Sequence, residues 1–129
     1  MINVYTDGAY SSKLNQGGLA IVVIKDNKII AEFNKTYRNT TNNRMELLAV
    51  IIAIESLKKY NNITIFTDSM YVIGCATLGW KKNKNKDLWN RFDKLNIENI
   101  KFIHVKGHSD NIYNNRCDYL AVLASQKIS

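Results

Sequence analysis

The chain opens with Ile2-Asn3-Val4-Tyr5-Thr6, where apolar and polar side chains alternate at the two-residue period of a strand, and then meets the turn-forming pair Asp7-Gly8. Asp7 is therefore expected at a strand end. Gly17-Gly18 introduces the apolar run Leu19 to Ile24, and Lys25-Asp26-Asn27-Lys28 separates it from a further strand pattern, Ile29 to Tyr37. Two strand patterns around Asp-Asn predict a hairpin. Thr40-Thr41-Asn42-Asn43 offers several N-cap residues, after which Leu47, Val50, Ile51, Ile54 and Leu57 recur at helical spacing, with Glu46 in the early turns.

The second half alternates. Ile63-Thr64-Ile65-Phe66-Thr67 predicts a short buried strand ending at Asp68, and Ser69 is placed to begin a helix through about Leu78. A basic loop, Lys81 to Lys86, precedes a helix expected over Asp87 to Leu95. Ile100 to Val105 reads as a fifth strand, Gly107-His108-Ser109-Asp110 as a polar loop, and Tyr113 to Ala124 as a final helix. Three consecutive strands followed by helix-strand alternation argue for an α/β fold, a mixed sheet covered by helices.

Composition narrows the class. A chain of 129 residues is expected to form one domain over residues 1–129, burying roughly two-thirds of its unfolded surface. Its 46% hydrophobic and 22% charged residues favour neither disorder nor a membrane protein. No long uncharged apolar run predicts a spanning helix, and no basic leader precedes the first strand, so a cytoplasmic protein is expected. Cys75 and Cys117 have no metal-binding spacing and are expected as buried free thiols. The net charge of +7 raises the expectation of a polyanionic partner, although a lysine-rich solvated surface would carry the same number.

Thr6-Asp7-Gly8 and Thr67-Asp68-Ser69 each end a strand pattern in a carboxylate, which suggests a site at the carboxyl edge of neighbouring strands. Either Asp alone reads more simply as a turn or cap residue. Repetition weakens that simpler reading.

These segments belong to a longer series of matches. From Tyr5-Thr6-Asp7-Gly8 to Asn115-Arg116-Cys117-Asp118-Tyr119-Leu120-Ala121 the sequence resembles type 1 ribonuclease H. Between them lie Thr40 to Leu47, Thr67 to Val72, Lys86-Asp87-Leu88-Trp89 and Val105-Lys106-Gly107-His108, in matching order. The resemblance implies an RNase H-like fold: a five-stranded sheet of three antiparallel strands with two parallel additions, flanked by helices. It implies an endoribonuclease that hydrolyses the RNA strand of RNA/DNA hybrids by a two-metal-ion mechanism, leaving 3′-hydroxyl and 5′-phosphate ends. Asp7, Glu46, Asp68 and Asp118 would be the catalytic carboxylates holding two Mg²⁺, with Mn²⁺ as a substitute. Hard oxygen ligands suit such ions, and converging carboxylates are poorly tolerated without a cation.

By the same resemblance, His108 would assist proton transfer or product departure, while His104, inside a strand pattern, is expected to be structural. Gly8, Asn42, Asn43 and Met70 would face the RNA minor groove, where the 2′-hydroxyl distinguishes RNA from DNA. Asn42 and Asn43 have helix capping as their ordinary alternative. Thr41 and Asn85 would form a phosphate pocket for the DNA strand.

Three departures stand out. Asn39 occupies a position where many relatives have Arg, with Arg38 just before it; Ser12 to Gly18 replaces a common Gly/Pro-rich loop at equal length; and the stretch from Tyr71 to Trp89 shortens the basic handle. Trp80 could stack on a sugar or base, or pack in the core. Lys81 and Lys82 read as a residual phosphate patch, with a solvated loop as the alternative. Weaker or more salt-sensitive hybrid binding is expected. A monomer is expected, and a replication or reverse-transcription partner stays open. A non-catalytic hybrid-binding module and a junction resolvase are the competing readings; the four acids oppose the first, and Asn42-Asn43 with Val105 to His108 opposes the second.

Overall fold

The Asp26-Asn27 tip turns as the hairpin pattern requires. Both residues have positive φ, 53° and 63°, as in a type I′ turn whose twist suits antiparallel strands. The turn joins β2 (Gln16–Lys25) to β3 (Lys28–Arg38). On its other side β2 pairs antiparallel with β1 (Ile2–Ser11), and β4 (Ile63–Thr67) and β5 (Ile100–His104) extend the sheet in parallel. The order β3-β2-β1-β4-β5 is the expected mixed five-stranded arrangement. Residues 1–107 and 110–128 are described by this computed structural model.

Four helices cover the sheet: α1 (Asn42–Ser56), α2 (Met70–Thr77), α3 (Lys86–Asp93) and α4 (Ile112–Ser125). β2 shows why its apolar run has no polar interruption. Leu19, Ile21 and Val23 join Ile2, Val4 and the α1 residues Leu47, Val50 and Ile51 in the larger core, whereas Ala20, Val22 and Ile24 join Tyr5, Cys117 and Leu120 beneath α4. A strand buried on both faces has no solvent-facing position for a polar side chain. Removing the Leu47 side chain from this packing costs about 2–5 kcal/mol by the usual cavity effect. β3, at the sheet edge, is exposed along most of its length.

One boundary differs from the sequence expectation. Asp7 lies within β1, because antiparallel pairing with β2 continues past it to Ser11↔Gln16. Parallel pairing with β4 stops earlier, at Tyr5↔Phe66. Gly8-Ala9 carries no alternation, so this extension comes from hydrogen bonding to β2 and not from a local apolar pattern. The altered first loop is also tied down: Leu14 N donates to Ser11 Oγ (3.3 Å), the Tyr10 hydroxyl donates to Asn15 Oδ1, and Asn15 takes a left-handed backbone (φ 49°). Cys75 and Cys117 are buried free thiols. Among the described residues, no helix is long and apolar enough to cross a membrane.

Candidate active site

Gly8 permits the close approach on which the site depends. A Cβ there would stand 2.5 Å from Glu46 N and 2.8 Å from Met45 Cβ, so only glycine lets α1 lie this near β1. Thr41 starts α1 as its N-cap, its Oγ1 accepting from Arg44 N at 3.2 Å. Glu46 is consequently carried in the second turn to the side of Asp7. Asp68 follows directly on β4, where Ser69 caps α2 by accepting from Val72 N. Asp7, Glu46 and Asp68 each present a carboxylate oxygen within 4.8 Å of the others.

Asp118, on α4, reaches Asp7 from the opposite face of the sheet. It raises the pKa of the Asp7 carboxyl, although it stands outside the tight group of three. Asp7, Glu46 and Asp68 thus come together from β1, α1 and the residue after β4, with Asp118 of α4 beside Asp7.

Burial sets the electrostatics. Asp7 and Glu46 are only 3% and 5% exposed. Burial, then the Asp68 charge, push the Asp7 carboxyl up to about 8, with Asp118 adding to the rise and Glu46 opposing it. Glu46 is held well above the ordinary glutamate range by burial and by Asp7. Asp7 Oδ2 and Glu46 Oε1 are buried without a hydrogen-bond partner among the described residues. Asp7 Oδ1 is satisfied by Gly8 N at 2.9 Å. Unpaired buried carboxylates cost several kcal/mol, so this arrangement does not serve stability. Hard, unpartnered oxygens from several elements fit a divalent cation such as Mg²⁺.

Around this centre the other expected residues separate into groups. Asn42 and Asn43 are exposed in the first turn of α1; Thr41 provides the cap, which leaves both amides available. Gly8 is half-buried beside them, and Met70 is exposed at the start of α2. Asn85 takes a left-handed backbone (φ 59°) just before α3, with its side chain held at both ends. Its Oδ1 accepts from Arg44 Nη1 (3.3 Å), and its Nδ2 donates to Tyr71 Oη (2.9 Å). Tyr71 Oη also accepts from Trp89 Nε1 (2.8 Å), while Arg44 forms a bidentate pair with Asp87. Sequence reasoning missed Arg44 and Tyr71 as supports of Asn85, because nothing in residue spacing links the starts of α1, α2 and α3.

Trp80 is not a core residue. It is 46% exposed, with one ring face seated on Gly74 of α2, where a Cβ would meet the ring at 2.0 Å. Lys81 is exposed, whereas Lys82 Nζ lies 3.7 Å from Asp93 and 5.0 Å from the Trp89 ring centroid. Asn39 sits in a left-handed turn (φ 52°), a backbone that asparagine accepts better than most residues. His104 ends β5, exposed, with Nε2 3.3 Å from the Asp68 carbonyl oxygen. His108 lies outside the described residues.

Known proteins share this sequence pattern and fold. The RNase H family model matches residues 1–126. Ribonuclease H of Trichodesmium erythraeum (strain IMS101) is 42% identical over 142 residues, spanning 98% of this chain and 90% of the relative. Ribonuclease H of Desulforamulus reducens is likewise 42% identical, spanning 98% and 88%. RNase H1 from the halophilic archaeon Halobacterium salinarum NRC-1 superposes with a TM-score of 0.79 at 28% identity, over 95% of this chain and 96% of the other. LC11-RNase H1, solved in complex with RNA/DNA hybrid, shares the fold with a TM-score of 0.78 at 24% identity, over 96% of each chain.

Proposed function

The chain belongs to the RNase H family, and from that premise we propose that it hydrolyses the RNA strand of RNA/DNA hybrids at the Asp7, Glu46, Asp68 and Asp118 site. It is a ribonuclease H, a hydrolase. The observation that carries the proposal is the buried, unpartnered pair of oxygens on Asp7 and Glu46, with Asp68 within 4.8 Å.

Asp7, Glu46, Asp68 and Asp118 would hold two Mg²⁺ ions together with substrate, with Mn²⁺ as a substitute. When bound, such ions supply Lewis-acid stabilisation of charge at the phosphate and lower the pKa of an attacking water. The carboxylates would neutralise and orient these cations. Cleavage is endonucleolytic and leaves 3′-hydroxyl and 5′-phosphate ends. His108 assists proton transfer or product departure.

Recognition follows from the residues beside the acids. Asn42 and Asn43, with Gly8 and the start of α2 at Met70, contact the minor groove and its 2′-hydroxyls. The Thr41 hydroxyl, accepting from Arg44 N, keeps its own proton to donate to a DNA phosphate, and Asn85 keeps a second amide proton. The open face of Trp80 stacks on a sugar or base of the hybrid, and Lys81 adds charge. Lys82 contributes less, because Asp93 and Trp89 already engage it. Lacking a full handle, the protein binds hybrid more weakly, or with greater salt sensitivity, than relatives that have one. A cytoplasmic monomer completes the reading.

The test offers end-labelled RNA/DNA hybrid, double-stranded RNA, double-stranded DNA and single strands to the purified protein, with Mg²⁺, Mn²⁺ or chelator. Metal-dependent cleavage of the hybrid RNA strand alone is expected, with 3′-hydroxyl products. Preferential cleavage of double-stranded DNA, or tight hybrid binding without cleavage, would overturn it.

A further inference from the structure

A groove of 810 Å³ runs between the edge strand β3 and the last turn of α4, on the side of the sheet away from α1. Arg38 offers its side chain to it from β3 and Lys127 from just beyond α4, whereas Lys35, opposite Leu19, turns its Nζ over the Tyr37 ring on the α1 face. Arg38 and Lys127 are exposed, no acidic residue lines the groove, and neither makes an ion pair among the described residues. Elsewhere on the surface, by contrast, Arg44, Arg91 and Arg116 are each committed to a carboxylate.

A helix C-terminus ordinarily repels anions through its free carbonyls. Here those carbonyls are occupied. Thr36 Oγ1 donates to Ala124 O (2.6 Å), and Gln16 Nε2 donates to both Ser125 O (3.0 Å) and Lys127 O (2.7 Å). Asn34 Nδ2 donates to Leu120 O one turn earlier. The floor of the groove thus muffles the negative end of α4 and leaves Arg38 and Lys127 as its unpaired charges.

The position of the groove identifies its ligand. Arg38 ends β3, and the chain turns at Asn39 to reach Thr41, the N-cap of α1 assigned above to a DNA phosphate. Groove and pocket therefore flank the same turn at the end of β3. We infer that this groove is a second nucleic-acid surface, binding backbone phosphates of the hybrid that lie beyond the stretch seated at the carboxylates. It supplies phosphate affinity in a chain where Asn39 and the short segment before Trp89 supply little. The inference rests on hybrid being the substrate.

The test compares Arg38→Ala/Lys127→Ala with the native protein on a hybrid of about one helical turn and one of about three turns. Affinity is measured in chelator, so that nothing is cut, across a range of salt. The double variant is expected to bind the long hybrid about tenfold more weakly and to lower its salt slope by about 1.5, with less than about twofold change on the short one. Lys58→Ala/Lys59→Ala, which removes two exposed lysines after α1, serves as the charge-matched control and should show no such length dependence. Equal losses on both lengths, the same loss in the control, or no loss on the long hybrid would each overturn the inference. Failure of the native protein to cut hybrid with Mg²⁺ would instead overturn the substrate reading.

Discussion

Two polar clusters lie side by side at the start of α1, and they are built on opposite rules. Around Tyr71 each donor meets an acceptor: Trp89 and Asn85 donate to the Tyr71 hydroxyl, and Arg44 joins Asn85 to Asp87. At Asp7 and Glu46, buried carboxylates of like charge face one another with oxygens left unpartnered. A satisfied network fixes geometry and adds to stability, whereas an unsatisfied one of a single sign is tolerated where a ligand completes it. The difference separates scaffold from site more sharply than burial does, since both clusters reach into the interior.

Breaking the acidic cluster should have the largest effect, and the effect should fall on activity. Asp7→Asn keeps shape but removes one charge, so cleavage of hybrid should drop by about 10³-fold or more in single-turnover assays. Its metal-free melting temperature near pH 8 should rise, because a buried like-charge repulsion is gone. The reverse pattern is expected for the Tyr71 cluster. Tyr71→Phe strands the indole N–H of Trp89, a residue only 2% exposed, and should cost about 1–3 kcal/mol in denaturant unfolding. Metal binding should survive that change.

A smaller effect tests the cation requirement through pH. Asp7 has a folded value of about 8 against an ordinary 3.8, so its protonated form is the one that folding favours. That stability contribution is complete below about pH 4 and is lost as pH rises through about 8. A divalent ion binds the deprotonated form and offsets the loss. Mg²⁺ should therefore raise the melting temperature more at about pH 9 than at about pH 6, which thermal melts at fixed ionic strength will show. The smallest effect belongs to the exposed pair Arg91–Glu55, where Glu55→Gln should alter unfolding free energy by less than about 1 kcal/mol.

Much of the fold was legible because the local patterns were strong. The Asp26-Asn27 turn, the apolar face of α1 and the short strand Ile63–Thr67 all follow from residues adjacent in the chain. The full length of β1 was not legible, since Ala9 to Ser11 are held in the strand by β2 and not by their own alternation. The four acids could be named from their motifs, but their convergence depends on topology: parallel pairing brings Asp68 alongside β1, and the bare backbone of Gly8 admits Glu46. The Tyr71–Asn85–Arg44 link, the seat of Trp80 on Gly74 and the commitment of Lys82 to Asp93 are tertiary contacts between side chains, for which the sequence has no periodic signal.

The central claim is that the buried acids are completed by divalent cations, and Mn²⁺ binding followed by electron paramagnetic resonance tests it most directly, with proton release recorded alongside. The native protein should bind Mn²⁺ and release protons near neutral pH, because Asp7 and Glu46 give up the protons that burial makes them hold. Asp7→Asn should bind more weakly by at least about tenfold. Unchanged Mn²⁺ affinity in that variant, or binding to the native protein without proton release, would contradict the account.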